Sequence, residues 1–464
     1  MAKAKSKKIT LEEALVPVEE QPYKVPENWC WTKLGVVSKF ERGITFPASA
    51  KESEQTEENI PCLRTANIQE NLELGDLIYV NRSYMKHNDN KLVMKDDIIM
   101  SSANSRELVG KVSYVHNVLF PMTFGGFVLG IRAKEINAKY LFYHLRYEFL
   151  CGKFMGESTQ TTNIANINTT TLGNHFFPLP PLVEQKRIVE QIESLFTKLD
   201  EAKEKALSVV ESFESRKKAI LNNAFNGLYS TDWREKHHCT LDDWKDRKIN
   251  EICIPRAGFA FNSKKFTESG IQIIRMGNLY AGKLNLSRSP VFYDISDVDD
   301  NIIKRSMVHD GDILLTLTGT KYKRDYGYAV CIEGEHELLV NQRILCLSPT
   351  EKIDKEYLLY YLRSEIFSDI FFSNETGGVN QGNVSSKFVE NIEIKLPSIE
   401  EQKEISKILK NILTKEEQAK ELAEFVIEQI ELMKKSILAK AFRGELGTNI
   451  ATEESAIELL KNIL

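Results

Sequence analysis

The sequence has few of the features that announce an enzyme, a secreted scaffold or a membrane protein. Its seven cysteines (30, 62, 151, 239, 253, 331 and 346) are odd in number, scattered and never in a Cys-x-x-Cys pair. A disulfide framework is therefore not expected, and a reducing cytoplasmic setting is. No run approaches about 18 apolar residues, so no transmembrane helix and no membrane association are expected. Residues 1–16 carry lysines but neither an apolar core nor a small-residue cleavage site, unlike a signal peptide. Phosphate and cofactor motifs are missing too. Gly377-Gly378-Val379-Asn380-Gln381-Gly382-Asn383 has a suggestive glycine spacing, but Asn383 stands where a phosphate-binding lysine is required. There is no Gly-x-Gly-x-x-Gly, no adenine-methylation motif of the Asn/Asp-Pro-Pro-aromatic type and no Gly-x-Ser-x-Gly elbow. Glu393-x-Lys395 has nuclease-like spacing but reads as an alternating strand. His237-His238-Cys239 lacks a second pair at zinc spacing and reads as exposed linker. The chain alone is thus expected not to be an enzyme, with no catalytic residue, cofactor or metal of its own. An excess of positive charge is also absent: 61 Lys and Arg face 66 Asp and Glu, for a net charge of -5. That is weak evidence against nucleic-acid binding, because a basic face can coexist with acidic helices elsewhere.

What the chain does have is length and repetition. At 464 residues, 42% hydrophobic and 27% charged, it is too long for one ordinary core, and two or more globular domains are expected. Leu179-Pro-Pro-Leu-Val-Glu-Gln185 returns as Leu396-Pro-Ser-Ile-Glu-Glu-Gln402, an offset of 217. Residues 179–227 against 396–444 give 22 identities in 49 ungapped positions. Unrelated sequences of average composition would share roughly three. Upstream the match continues with small shifts: Tyr140-Leu141 with Tyr357-Leu358, Asp97-Ile98 with Asp312-Ile313, Arg64-x-x-Asn67 with Arg275-x-x-Asn278, and Trp29 with Trp244. The chain is two copies of one unit, each a variable part followed by a more similar part.

The similar parts are helical. Ile188, Ile192, Leu195, Leu199, Ala202, Ala206, Val209 and Phe213 alternate at four and three residues, as a coiled-coil seam does. The second copy repeats this from Ile405 through Ala419, Ala423, Ile430 and Met433 to Ala441. Arg216 interrupts the first seam and Glu416 the second, and either could face a partner instead. Residues 182–225 would make about 66 Å of helix at about 1.5 Å per residue. Leu-Pro starts each helix, and Gly227 and Gly444 are natural stops. Two such seams in one chain predict an antiparallel pair, with Ala202, Ala206, Ala419 and Ala423 permitting close approach.

The variable parts mix short strands with turns and one helix each, at 138–149 and 355–367, giving an α+β class overall: two globular domains of mixed helix and strand separated by two long antiparallel coiled-coil helices, with an internal pseudo-twofold. The expected layout is an N-terminal arm (1–23), a first variable domain (24–178), a first long helix (179–227), a linker (228–242), a second variable domain (243–395), a second long helix (396–445) and a helical tail (446–464). The tail's helix, 453–464, is expected to pack beside residues 9–15. Three polar loops recur in each domain. The first is 40–46, matched by 256–261; the second is 101–106, matched by 316–324; the third is 158–163, matched by 377–383. Arg, Asn and Gln can pair with base edges, while Ser, Thr and Lys hold phosphates. The candidate contacts are Arg42, Thr45, Arg64, Asn67, Ser102, Asn104, Arg106, Gln160, Thr162 and Asn163 in the first domain. In the second they are Phe259, Arg275, Asn278, Thr318, Thr320, Lys321, Tyr322, Lys323, Arg324, Asn380, Gln381 and Asn383. Arg64 and Arg275 read equally as partners in a structural ion pair. Gly43 and Gly258 read as turn residues.

Two variable domains, each followed by a Leu-Pro-x-x-x-Glu-Gln helix that ends in Lys-Lys-x-Ile-Leu-x-x-Ala-Phe-x-Gly, resemble the specificity subunit of type I restriction–modification systems. The resemblance covers nearly the whole chain. It implies a non-catalytic subunit that reads a bipartite site in double-stranded DNA, one segment per domain, with the helices as a ruler. It implies two methyltransferase subunits as partners, which carry S-adenosylmethionine and methylate adenine. Two restriction subunits, which use ATP and Mg, can also join. Half-site centres read from one face of B-DNA would lie about ten base pairs apart. The competing reading is a non-DNA coiled-coil adaptor that bridges two copies of a partner protein.

Overall fold

The computed structural model describes residues 9–86, 88–157, 159–161, 164–296, 298–378 and 380–464. The chain divides into two compact units, Met1–Ala206 with Phe425–Leu464, and Leu207–Glu424. No helix among the described residues is long and apolar enough to cross a membrane.

The first unit is built on an antiparallel sheet with the order Ser38–Arg42, Val128–Ala133, Ile98–Ser101, Val112–Tyr114. Its register pairs Phe40 with Ile131 and Ile131 with Ile98. A second sheet joins Ile78–Asn81, Asn59–Leu63 and Thr123–Phe124, the last two in parallel. The helix Ala138–Leu150, N-capped by Asn137, buries Tyr140, Leu141 and Leu145 in the core. The second unit repeats this order strand for strand: Cys253–Ala257, Ile344–Pro349, Ile313–Thr316, Ala329–Cys331. Its second sheet has the same parallel pairing, between Ile271–Ile274 and Leu338–Val340. The repeat read from the sequence is therefore a repeat of topology.

The expected helix 355–367 is two helices, Lys355–Leu362 and Glu365–Ser373. Ser364 breaks the run because its hydroxyl caps the second helix by accepting from the Phe367 amide. The first spacer is likewise interrupted. Leu182–Glu211 gives way at Ser212 to Phe213–Phe225, and the Ser212 hydroxyl bonds back to the Ser208 carbonyl, a contact that bends helices. The second spacer, Ile399–Arg443, is continuous.

The pairing of the spacers is antiparallel within each unit. In the first, Asp200 meets Lys434 and Lys203 meets Glu431. In the second, Lys420 lies 4.9 Å from the Phe213 ring centre and Arg216 meets Glu416. The seam differs from expectation in places. Met433 is exposed, and Lys434 turns inward over the Phe196 ring. Of the four small residues, Ala206 and Ala423 are buried, whereas Ala202 and Ala419 are exposed.

The recurring Glu-Gln bolts each spacer to its own domain. Glu184 accepts from the Trp29 indole at 2.7 Å, and Glu401 from the Trp244 indole at 3.1 Å. Gln185 accepts from the Asn137 amide and donates to the Pro180 carbonyl; Gln402 does the same with Asp354 and Pro397. Burial holds the Glu184 carboxyl above its usual range, against the pull of the Trp29 and Asn449 hydrogen bonds. The stretch expected as exposed linker is instead structured. It forms the helix Thr231–His237, and the buried Arg234 pairs with Glu401 at 2.9 Å. The tail helix begins at Ala456, three residues later than expected, because Ser455 caps it. Ala456 and Leu460 share a core with Ala14, Leu11 and Leu15, so both ends of the chain enter the first unit.

Candidate nucleic-acid interface

In each unit the three loops meet at one end of the main sheet, and main-chain contacts hold them there. The first loop runs against the turn before the last main strand: Ile44 bridges Gly125, and Phe259 bridges Asn341. This approach explains the paired glycines. A Cβ on Gly43 would stand 2.0 Å from the Gly125 carbonyl oxygen, and one on Gly258 2.2 Å from that of Asn341. Neither glycine has positive φ, so close backbone contact, and not a turn, requires them. The second and third loops are stitched by short strands. Ala103–Asn104 pairs with Ile164–Asn166, and Thr318–Gly319 pairs with Gly382–Asn383.

Each unit carries a concavity between the first loop and the repeated arginine. In the second unit it encloses about 590 Å³, lined among others by Arg275, Arg288, Gln342 and Arg343, with no carboxylate in its wall. In the first it encloses about 500 Å³ beside Thr45, Lys51, Arg64 and the exposed Phe127, again with no carboxylate. Arg64 and Arg275 stand at matched positions and are only partly engaged. The Nη2 of Arg64 donates to Asp76 Oδ2 at 2.7 Å, and that of Arg275 to the Ser289 carbonyl at 2.7 Å. In both, Nε is buried with no hydrogen-bond partner among the described residues. An unmet buried donor costs about 1–3 kcal/mol. The same donor is left unmet at the same place in both copies.

The other candidates divide. Asn67 and Asn278 are each 2% exposed, and their amides serve the loop itself. Asn67 accepts from the Arg64 amide and donates to the Glu73 and Asp76 carbonyls; Asn278 does the same with Arg275, Asn285 and Arg288. They position their arginines and have no free atom for a base. Thr318 is buried and donates to Asn383 at 2.9 Å, which fastens the second loop to the third. Asn104 bonds to Ser101 and Ser105, and Ser102 is half-buried. Arg42 is exposed, with a 3.3 Å bond to Thr169, and Thr45 and Arg106 are exposed.

The cluster 321–324 is less cationic than its sequence suggests, because Arg324 pairs with Asp369 at 2.9 Å and Lys321 donates to the Gly377 carbonyl. Lys323 and Tyr322 are exposed, Tyr322 by 80%, and Tyr322 and Arg324 both have positive φ. The Thr320 amide is held by Asp325 at 2.7 Å. Phe259 packs on Phe261, while Asn380 and Gln381 are exposed at the tip of the third loop. Gln160 lies in the strand Thr159–Thr161, and Thr162 and Asn163 fall outside the described residues. Sequence reasoning missed Arg288, Gln342, Arg343, Lys51 and Phe127. Their signal was available only at 341–343, an Asn-Gln-Arg run placed like Gly125-Gly126-Phe127 of the first copy. Away from the loops, His237 stacks on Trp233 at 4.0 Å and accepts no role here.

A family model for the type I restriction modification DNA specificity domain matches residues 26–212 and again 241–425. The chain is 25% identical over 455 residues to the type I restriction enzyme EcoKI specificity subunit of Escherichia coli K12, covering 95% of this chain and 96% of that one. It is 22% identical over 451 residues to the StySPI specificity subunit of Salmonella potsdam, covering 95% and 96%. Among solved structures, the HsdS subunit from Thermoanaerobacter tengcongensis aligns with TM-score 0.61 at 18% identity, over 92% of this chain and all of that one. A chain from work on complex assembly and conformational transition of the type I R-M system aligns with TM-score 0.66 at 18% identity, over the same shares. With its doubled sheet order, its two bolted spacer helices and both halves matched by the family, this chain belongs to the type I restriction–modification specificity subunits and carries two target-recognition domains.

Proposed function

We propose that the chain reads a bipartite site in double-stranded DNA, one segment per recognition domain, and that its spacer helices set the interval between segments. The observation that carries this is the pair of matched concavities, each lined by cations without carboxylates and each holding an arginine with an unmet Nε. Such arginines suit guanine edges or phosphates. Arg275, Arg288 and Arg343 serve the second segment; Arg64, Lys51 and Thr45 serve the first. Loop residues that differ between copies give the two domains different targets.

The chain itself performs no chemistry in this reading. It recruits two methyltransferase subunits, which supply S-adenosylmethionine and adenine methylation, and restriction subunits with ATP and Mg where these are encoded. The exposed Phe425, Leu432 and Met433 on the second spacer are an apolar surface for such partners. The test is methylated-base sequencing of DNA from cells that carry the chain with its methyltransferase. A split asymmetric motif is expected, and exchange of residues 24–178 for those of another specificity subunit should alter one half only. A continuous motif, or no DNA footprint by the complete assembly, would refute the reading and favour a protein-bridging adaptor.

A further inference from the structure

The first unit contains a polar cluster that neither DNA reading nor spacer packing uses. His144 and Glu148 lie four residues apart on the helix Ala138–Leu150, hence on one face. His175 comes from the turn before the strand Phe176–Leu179. One ligand atom from each lies within 4.8 Å of the others. His175 Nε2 is 3.1 Å from Glu148 Oε2. His144 is 1% exposed, and neither of its ring nitrogens has a hydrogen-bond partner among the described residues. The Phe176 backbone lies close by and makes the imidazole slightly more basic.

We propose that His144, Glu148 and His175 bind one divalent transition-metal ion of the zinc type, which clamps the helix to the strand that leads into the first spacer. Two imidazoles and a carboxylate are an established donor set for zinc, with water able to fill a fourth position. Tetrahedral ligands about 2.0–2.1 Å from zinc stand about 3.4 Å apart, a separation that small side-chain rotations reach from the present arrangement. The surroundings are apolar. The His144 ring meets Phe177 and Phe442 edge-on at 4.9 and 5.0 Å, and Phe154 lies 5.5 Å from His175. Such a shell limits solvent access and lowers the local dielectric, which strengthens ligation.

The bland reading is a His175–Glu148 hydrogen bond beside an unused core histidine. It leaves two buried nitrogens unmet, which native interiors rarely tolerate. The second copy supplies a built-in contrast. At the offset of 217 the three positions become Tyr361, Glu365 and Ile392, and the Tyr361 hydroxyl donates to the Glu393 carbonyl at 3.3 Å. At the matched positions the second unit therefore lacks the donor set. Because Phe442 leans on His144, the ion also supports the last turn of the second spacer.

The experiment uses the full chain, stripped with a chelator and dialysed against zinc. Elemental analysis should find one zinc per chain, and cobalt(II) in its place should give the ligand-field absorption of a tetrahedral site. Zinc should slow hydrogen exchange in residues 138–150 and leave 355–373 unchanged. His144→Phe, which matches the aromatic surroundings, should abolish both effects. Glu148→Gln, which keeps a hydrogen bond to His175, should fold normally and weaken zinc binding by about tenfold or more. His237→Ala with His238→Ala should retain the site. Equal zinc content in wild type and both cluster variants, loss of zinc only in the His237/His238 variant, or zinc-independent exchange would overturn the proposal.

Discussion

The Nε of Arg216 lies 2.7 Å from Oε2 of Glu416, so the two residues that interrupt the heptad seams neutralise each other. Arg216 also donates to the Val209 carbonyl at 3.2 Å and to the Ser212 hydroxyl. Within this chain each supplies the other's countercharge. Their side chains are 33% and 25% exposed, so solvent weakens the pair. Arg216→Ala and Glu416→Ala should each destabilise the full chain, with a coupling of about 1 kcal/mol in a double-mutant cycle. Replacing both by leucine should restore or exceed wild-type stability, because the seam then runs unbroken. Denaturant unfolding of wild type, the two single and the two double variants measures both effects.

Arg275→Ala should weaken DNA binding by the assembled complex by about 1–3 kcal/mol, roughly five- to 150-fold, and relax sequence preference in one half-site. Arg343→Ala should act on the same half. If either residue touches only phosphate, the loss will be uniform across sequences, and the salt dependence will fall by about one ion. Binding to site variants at several salt concentrations separates these outcomes.

Gly258→Ala should abolish recognition of the same half-site and leave the other half readable. The new methyl would press on the Asn341 carbonyl and shift the turn that carries Gln342 and Arg343. Gly43→Ala should do the converse. Footprinting on hybrid sites distinguishes the halves.

Glu401→Ala should cost about 3–5 kcal/mol, because it leaves the buried Arg234 guanidinium and the Trp244 indole without their acceptor. Glu184→Ala should cost less, since Glu184 meets an indole and an amide and no direct guanidinium. Urea unfolding of the two variants gives the comparison.

Acid should loosen the tail. Arg187 grips Glu453 through two 2.7 Å bonds and holds its carboxyl below the usual range. The folded chain therefore releases that proton more readily than the unfolded chain. The pair's contribution is complete above the ordinary glutamate value of about 4.3 and fades as pH falls through the lower folded value. Glu453→Gln should melt earlier than wild type at pH 7, by an amount equivalent to about 1 kcal/mol, and the gap should narrow below about pH 4. Melting curves across that range test the sign.

Much of the architecture was legible because it repeats. An ungapped offset of 217 exposed two units, and the heptads exposed the spacers before any contact was known. What periodicity could not show was which polar residues face inward. Lys434 and Arg234 look like surface charges, yet each is buried by a partner distant in sequence. Asn67 and Asn278 look like base readers because their chemistry suits a base equally well, and only burial reveals that their amides are spent on the loop. Arg288 and Arg343 went unseen because the concavity draws them together from separate turns. His144 and His175 are 31 positions apart, beyond any spacing rule, while the adjacent His237 and His238 drew notice, and His237 stacks on Trp233.

The loops are fastened largely by main chain: the Ala103–Asn104 and Thr318–Gly319 ladders, and the glycine-to-carbonyl approach at Gly43 and Gly258. Peptide groups are the same whatever side chain they bear. Substitutions at the exposed Arg106, Lys323, Asn380 or Gln381 can therefore accumulate without undoing the knot that presents them. On the proposed reading, heritable drift in such a chain would fall on the target it names before it falls on its ability to fold. A lineage could acquire a new address in DNA by single replacements, while mutations at the two glycines would be purged as loss of function.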